Sequence, residues 1–212
     1  MHLIIKILFT LTFLSISHGQ GFWGKEFPEP KIEYAPRTYV CHKANSPILL
    51  DGKLNDIAWT NTYWTDLFVD IEGDLKPKPF YDTKAKMLWD DNYFYFGVDM
   101  EEPHVWAKLK QRDTVIFKDN DFEIFLDPDG DTHNYYELEV NALETEWDLI
   151  LLKPYHNASK GDKDVVVDSW DIPGLITKVH VDGTLNNPKD RDKGWSVEIA
   201  IPWNALISNY RS

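Results

Sequence analysis

The loop Asp127-Pro128-Asp129-Gly130-Asp131 holds the residues with the most specific chemistry in this sequence. Alternate aspartates around a glycine turn place several hard oxygens on one side of a loop, and calcium binds about six to eight such oxygens. The full EF-hand spacing is absent, because the twelfth position counted from Asp127 is Leu138, which cannot be a ligand. Aspartate also favours turns by itself. The loop is therefore predicted either to bind calcium through Asp127, Asp129 and Asp131 or to be an ordinary hairpin loop.

Four polar side chains form a second set that could do chemistry: Glu123, Glu137, Glu139 and Asn141. They alternate with apolar residues along two segments typical of neighbouring strands, so we expect them on a solvated face. Paired carboxylates could hydrolyse a glycosidic bond, which requires a separation of about 5 Å in a retaining enzyme and about 6.5–9.5 Å in an inverting one. Glu137 and Glu139 would lie roughly 6.5–7 Å apart on one strand face. Solvated strand faces often carry such pairs. The glutamates could therefore be a catalytic pair or simply solvent-exposed residues.

Aromatic residues are abundant, with nine tryptophans in 212 residues. Trp106, Phe117 and Trp170 lie in turn-rich segments, where a ring can stay exposed. A pyranose offers a face of C–H groups to such a ring and a rim of hydroxyls to carboxylates and amides. Rings beside Glu123 and Asn141 therefore favour sugar recognition.

Other familiar sites are missing from the sequence. The histidines show no zinc-ligand spacing, no glycine-rich loop could hold a phosphate, and no serine lies in a Gly-x-Ser-x-Gly turn.

The elements that must position these residues are short strands separated by turn residues about every ten positions, which is typical of a β-sandwich or barrel. The predicted fold class is an all-β antiparallel sandwich of the jelly-roll or immunoglobulin-like type. Little helix is expected, with one turn each at 55–59 and 203–208. Alternation predicts strands at the following positions: 47–50, 85–89, 93–100, 122–126, 136–141 and 197–201.

The first nineteen residues have the features of a secretory signal peptide: a positive charge at Lys6, an apolar run at 7–16, and small residues before a cut ahead of Gln20. The run is too short for a permanent membrane span. Residues 20–37 are expected to be an extended, proline-containing lead-in segment and 38–212 a single domain. The predicted location is secreted, whether periplasmic or extracellular.

The net charge of −13 would repel phosphate backbones, so no nucleic-acid partner is expected. Neutral ligands and cations are the natural partners of so acidic a protein. The single cysteine, Cys41, excludes a disulfide within the chain. The domain must therefore be held together by core packing, which a metal could assist.

Five segments in order resemble the family-9 carbohydrate-binding modules that are associated with xylanases. They are Leu50-Asp-Gly-Lys-Leu-Asn-Asp-Ile-Ala-Trp59, the stretch from Ala85 through Trp89-Asp-Asp-Asn92 to Phe96, Asp121-Phe-Glu-Ile-Phe-Leu-Asp127, Tyr135 to Asn141, and Gly194-Trp-Ser-Val-Glu-Ile-Ala-Ile-Pro-Trp203. The resemblance runs from about Pro47 to Leu206. It implies a β-sandwich that binds the ends of sugar chains, with calcium in structural roles.

The resemblance also implies roles for individual residues. Phe117 lies where the family has the first of two tryptophans that clamp a sugar ring, and Glu123 and Asn141 match sugar-contacting residues. Glu139 stands where the family has an arginine, so the ligand or its pose is expected to differ. The second clamp tryptophan and the family's last strands would lie beyond Ser212, which implies an incomplete domain. Trp170 could replace the lost ring.

The sequence thus predicts an exported, non-catalytic module that binds poly- or oligosaccharide and serves carbohydrate catabolism. Stacking on Phe117, with Trp106 or Trp170, and hydrogen bonds from Glu123 and Asn141 are the expected contacts. Two alternatives stay open: a glycoside hydrolase that uses two of the three glutamates at positions 123, 137 and 139, and a cell-envelope interaction domain whose aromatic residues are buried.

Overall fold

The computed structural model describes residues 35–154 and 165–207. The predicted signal peptide at 1–19 and most of the predicted lead-in segment lie outside the described residues. Residues 35–37, which end that segment, belong to no helix or strand. Within the described ranges every helix is too short or too polar for a bilayer crossing.

Short strands make up most of the regular structure, and helices are few, as predicted. In the described ranges the strands are β1 His42–Lys43, β2 Thr83–Trp89, β3 Tyr93–Glu101, β4 Asp121–Leu126, β5 Tyr135–Asn141, β6 Glu146–Leu151, β7 Val166–Val167, β8 Ile176–Asp182 and β9 Gly194–Pro202. The helices are α1 Ile57–Thr60 and α2 Trp203–Ile207, and two 3-10 turns span Gly73–Leu75 and Ile116–Lys118.

The strands form two sheets, which confirms the predicted β-sandwich. One sheet has the order β1-β2-β3-β9-β8, and the other has the order β4-β5-β6-β7. Only the short β1–β2 pairing is parallel among these strands. The predicted hairpin of β2 and β3 is present, with Trp89 opposite Phe94 across its turn.

The main core lies between the two sheets. Phe96, Val98 and Met100 share one face of β3, as the alternation predicted, and they pack against the inner face of the four-stranded sheet. Leu138 and Val140 contribute that inner face from β5. All five side chains are buried, so the two sheets are held together chiefly by apolar burial.

A second cluster covers the outer face of the five-stranded sheet. Trp59 of α1 is fully buried there, and its Nε1–H donates to Glu198 Oε1 of β9 at 2.7 Å. Glu198 Oε2 also accepts the backbone N–H groups of Asp51 and Gly52, at 2.8 and 2.7 Å. Gly52 has φ +83° and a Cβ there would meet His180 N at 2.5 Å, so only glycine fits the turn. The Asp-Gly turn and the tryptophan nine residues after Leu50 are thus held by one buried carboxylate.

The predicted strand at 47–50 is wrong. The segment belongs to no strand, and Leu49 N–H donates to the Asp56 carboxylate at 2.8 Å instead of to a neighbouring strand. The next two amides, of Asp51 and Gly52, donate to the side chain of Glu198. Side-chain carboxylates therefore take the place of a neighbouring strand.

Candidate functional site

The candidate site lies on the outer face of the four-stranded sheet, where three strands place side chains next to one another. Glu123 of β4 is opposite Glu139 of β5, and Glu139 is opposite Trp147 of β6. Because side chains of directly paired residues point to the same face, these three form a row across the sheet. The predicted adjacency of the two glutamate-bearing strands is therefore correct.

The prediction that this whole face is solvated is wrong. Glu137, Glu139 and Asn141 are only 4%, 1% and 0% exposed to solvent. The connection between β3 and β4 lies over them: Phe117 N–H donates to Glu139 Oε2 at 2.9 Å, and Leu109 C=O accepts from Asn141 Nδ2 at 2.9 Å. Period-two alternation identifies the outer face but does not reveal that a connection covers it.

Three acids of this face form a compact carboxylate cluster: Asp121, Glu123 and Glu139. Each offers an oxygen within 4.8 Å of the others, and burial increases from the exposed Glu123 through Asp121 to the buried Glu139. Burial and the neighbouring carboxylates raise the pKa of Glu139 to about 9 and that of Asp121 to about 7. At neutral pH the cluster therefore retains bound protons, with Glu139 protonated.

Two aromatic rings stand beside the carboxylate cluster. Phe117 lies on the 3-10 turn over β5, and its ring centroid is 6.2 Å from that of Trp147. Phe117 is 47% exposed and Trp147 is half-buried. Two buried polar atoms on this face have no hydrogen-bond partner, namely Asp121 Oδ2 and Trp147 Nε1. The site thus joins open ring surface and carboxylates, next to two polar atoms that are enclosed by protein.

Asn141, a predicted sugar contact, makes its side-chain hydrogen bonds inside the protein. Its Oδ1 accepts the N–H groups of Leu143 and Thr145, both at 3.0 Å. Its Nδ2 donates to Leu109 C=O and, at 3.1 Å, to Asp119 Oδ2. All four hydrogen-bonding positions of the amide are used inside the protein, which gives Asn141 the role of shaping the turn after β5.

The two other predicted stacking residues, Trp106 and Trp170, do not lie beside the Phe117 ring. Trp170 packs on the core side of the sheet, with its centroid 5.0 Å from the ring of Tyr136. Trp106 is 37% exposed and has Lys108 Nζ 5.2 Å from its ring centroid. In the described parts of the chain neither ring contacts Phe117 or Trp147. Their sugar-binding roles stay predictions.

The family model described as "Carbohydrate family 9 binding domain-like" matches residues 50–211, which is well over half of the chain. This chain belongs to that family. The resemblance inferred from the ordered motifs is thus confirmed.

This chain is similar to an exoglucanase and to two solved carbohydrate-binding modules, at 20–26% identity. The exoglucanase XynX of Acetivibrio thermocellus is 26% identical over 105 residues, a match that spans 47% of this chain and 8% of that protein. A family-9 carbohydrate-binding module from Caldicellulosiruptor kristjanssonii in complex with cellotriose is 20% identical, with a TM-score of 0.48 over 76% of this chain and 66% of that one. A structure of such a module from that organism with glucose gives 20% identity and a TM-score of 0.46, over 76% and 67%.

The geometry of the Asp127 loop shows whether its residues suit the structural calcium that the family-9 resemblance implies. Asp127, Asp129 and Asp131 each offer a carboxylate oxygen, and these oxygens lie within 4.8 Å of one another. Asp127 accepts the N–H groups of Gly130 at 3.0 Å and Thr132 at 2.8 Å, which fixes the loop. A carboxylate oxygen that accepts one N–H retains a second lone pair. The residues therefore fit a calcium ion that completes its shell with water.

Two residues of the candidate site were missed from the sequence, Asp121 and Trp147. Asp121 begins β4 two residues before Glu123, so strand periodicity alone places it on the same face. Trp147 comes beside Glu139 because the chain reverses tightly between Asn141 and Glu146. Recognising that turn, in which Thr145 N–H returns to Asn141 Oδ1, would have fixed the register and identified the tryptophan.

Proposed function

We propose that this chain is a non-catalytic sugar-binding module whose site is the outer face of β4, β5 and β6. The observation that carries the proposal is the pairing of the Phe117 and Trp147 rings beside the carboxylate cluster, within a family-9 domain. A pyranose would stack its C–H face on Phe117. Its hydroxyls would donate to the exposed Glu123 carboxylate.

The carboxylate cluster supports this proposal through its exposed member, Glu123, which a sugar hydroxyl can reach. Neutral sugar hydroxyls both donate and accept, so they pair with a carboxylate and with a carboxyl group alike. Each contact is modest, and we expect a weak to moderate affinity. The module would act as an exported accessory domain in carbohydrate catabolism.

Binding is tested by calorimetric titration with soluble cello-, xylo- and chito-oligosaccharides. The Phe117→Ala variant should bind about tenfold more weakly, because it removes a stacking contact worth roughly 1–1.5 kcal/mol. Its stability should change little, since the ring is 47% exposed. The control is Phe80→Ala, which removes an exposed ring from the connection before β2 in the other sheet.

Two outcomes decide this proposal. Binding that is weakened by Phe117→Ala and unchanged by Phe80→Ala supports it. Folded wild-type protein that binds no oligosaccharide of the panel refutes it.

We also propose that the Asp127 loop binds calcium as a structural ion. Removal of calcium with a chelator should lower the melting temperature, because the ion binds the folded loop and not the unfolded chain. The Asp129→Asn variant should have a lower melting temperature in calcium and respond less to the chelator. A wild-type melt that is identical with and without chelator would show that this loop is an ordinary turn.

A glycoside hydrolase is the second candidate, and one observation favours it. Carboxylate oxygens of Glu123 and Glu139 lie within 4.8 Å, close to the separation of about 5 Å that a retaining mechanism needs. The raised pKa of Glu139 would suit a general acid. Release of reducing sugar by the wild type and not by Glu123→Gln would establish this alternative. If neither protein releases reducing sugar, the non-catalytic binding module is the function that stands.

A further inference from the structure

A second exposed aromatic ring lies on the same outer face as the candidate site. Phe125 follows Glu123 by two residues on β4, so strand geometry turns both side chains outward. The alternate residues Phe122 and Ile124 are buried in the core between the sheets, whereas Phe125 is 50% exposed. The outer side of β4 thus presents a large apolar ring to solvent, where alternation alone would place a polar residue.

Phe125 belongs to a pair of rings. Its centroid lies 6.4 Å from that of Tyr135, which is half-buried at the start of β5. Tyr135 also brings a phenolic hydroxyl, which can donate and accept a hydrogen bond. The pair resembles that of Phe117 and Trp147, whose centroids are 6.2 Å apart. In both pairs an exposed phenylalanine is backed by a half-buried aromatic ring.

The two ring pairs are too far apart for a single sugar ring to contact both. Phe125 is directly opposite Glu137, and Glu139 is two residues further along β5. Phe125 and Glu139 are therefore diagonal neighbours, roughly 7–8 Å apart. Phe117 is anchored to Glu139 by its amide, and its ring leans towards Trp147 of β6, away from β4. A ligand that uses both pairs must therefore be a chain of linked sugars.

A carboxylate lies between the two ring pairs. The exposed Glu123 is opposite Glu139 and precedes Phe125 by two residues. Its two oxygens can accept hydroxyl groups from neighbouring sugars, since each oxygen has two acceptor positions. Ring, carboxylate and ring in this order match an oligosaccharide, in which apolar C–H faces alternate with hydroxyl-bearing edges along the chain.

This surface suits an oligosaccharide better than the apolar surface of another protein. The Phe125 and Tyr135 pair is continuous with the proposed sugar site, inside a domain of a carbohydrate-binding family. A protein that covered both rings with apolar side chains would also remove water from the Glu123 carboxylate, which is costly for an unpaired charge. Sugar hydroxyls replace that water with hydrogen bonds.

We propose that Phe125 and Tyr135 form a second sugar subsite, so that the module binds a chain of linked pyranoses that runs along β4. One sugar stacks on Phe117, and a later sugar stacks on Phe125 with its rim at the Tyr135 hydroxyl. The Glu123 carboxylate accepts hydroxyl groups between them. This inference rests on the proposed function, because it extends the same site and specifies the length of its ligand.

Calorimetric titration with sugars of increasing length tests the second subsite. Glucose, cellobiose, cellotriose and cellotetraose, and the matching xylose and N-acetylglucosamine series, are titrated into the full chain. In a series that binds, affinity should rise about three- to tenfold once the oligomer reaches Phe125, as one further stacking contact predicts. Phe125→Ala should abolish this rise and leave the affinity for the monosaccharide unchanged, while Phe117→Ala should weaken binding at every length.

Three further variants separate stacking from a general effect on the strand. Phe125→Leu retains an apolar residue in β4 but has no flat face, so it should lose the rise with length. Phe125→Trp retains a flat face and should retain the rise. Phe80→Ala removes a ring that is 97% exposed outside this face, and it should behave as the wild type. A full rise in Phe125→Leu, or its loss in Phe80→Ala, would overturn the inference.

The remaining outcomes distinguish this inference from the proposed function. Equal affinity for monosaccharide and oligomers, or a rise with length that persists in Phe125→Ala, overturns the second subsite and leaves a sugar-binding module. The absence of binding by any sugar of any length overturns both. Sedimentation at increasing protein concentration is the last check. Self-association that Phe125→Ala abolishes would make the ring pair a contact between two copies of the chain, and it would overturn the subsite.

Discussion

The Asn141→Ala variant should lose about 3 kcal/mol of its free energy of unfolding. Truncation leaves the part-buried N–H of Leu143 and the buried N–H of Thr145 without the oxygen that accepts them now. It also removes the donor to Leu109 C=O and to Asp119 Oδ2. Loss of each buried hydrogen-bond partner destabilises by roughly 1–3 kcal/mol, and the partners that still bond elsewhere lower the total.

Chemical denaturation monitored by tryptophan fluorescence measures this change. Asn45→Ala is the control, because Asn45 is exposed and its side-chain oxygen accepts one long hydrogen bond, from the Ser46 hydroxyl at 3.4 Å. The control should change stability by less than about 0.5 kcal/mol. If Asn141→Ala instead retains full stability and loses sugar affinity, Asn141 is the sugar contact that the family resemblance implied.

The Glu139→Gln variant should be more stable than the wild type at alkaline pH and should lose much of the pH dependence of stability. Glu139 has a pKa of about 9 in the folded protein, well above its usual value. Between those two values the folded state binds a proton that the unfolded state has released. The contribution to stability is therefore fully present below the unfolded pKa and is lost as pH rises through about 9.

With a pKa of 4.5 in the unfolded chain and about 9 in the folded protein, the difference between variant and wild type should grow by on the order of 5 kcal/mol from pH 5 to pH 9. Glutamine retains an oxygen that can accept the Phe117 N–H, so the connection above β5 should stay in place. The measurement is a series of denaturant titrations at fixed pH, with the exposed Glu101→Gln as control. Parallel pH profiles for Glu139→Gln and wild type would mean that Glu139 is ionised and compensated in the folded state.

Local alternation was enough to predict the sandwich and the pairing of its central strands. Phe96, Val98 and Met100 face the core as expected, because period-two burial follows from backbone geometry alone. The ordered motifs predicted the family, which the match over 50–211 confirms. The strands that carry Glu123 and Glu139 were correctly expected to be neighbours, while the register that places the two residues opposite each other was not predicted.

What the sequence did not predict depends on contacts between distant segments. The cover over Glu139 comes from a connection more than twenty residues earlier in the chain, through the Phe117 amide. The burial of Asn141 follows from a carbonyl at Leu109. Long-range contacts of this kind leave no periodic trace, since residues in connections are not constrained to alternate.

The predicted strand at 47–50 failed for a related reason. Its apolar residues do become partly buried, as Ile48 and Leu50 pack on the second cluster. Their burial satisfies the hydrophobic pattern, while Asp56 and Glu198 satisfy backbone donors that a neighbouring strand would otherwise accept. Burial and strand pairing are separate requirements, and the hydrophobic pattern of the sequence predicts only the burial.

The central claim is that sugar binds beside Phe117 and Trp147, and the indole N–H signals test it most directly. In a ¹⁵N-edited NMR titration, Trp147→Phe identifies the Trp147 Nε1–H resonance among those of the nine tryptophans. Saturation with a binding oligosaccharide should shift this resonance, because the sugar stacks on Phe117, whose ring centroid lies 6.2 Å from that of Trp147. A saturable response confined to Trp106 or Trp170, with the Trp147 signal unmoved, would contradict the account.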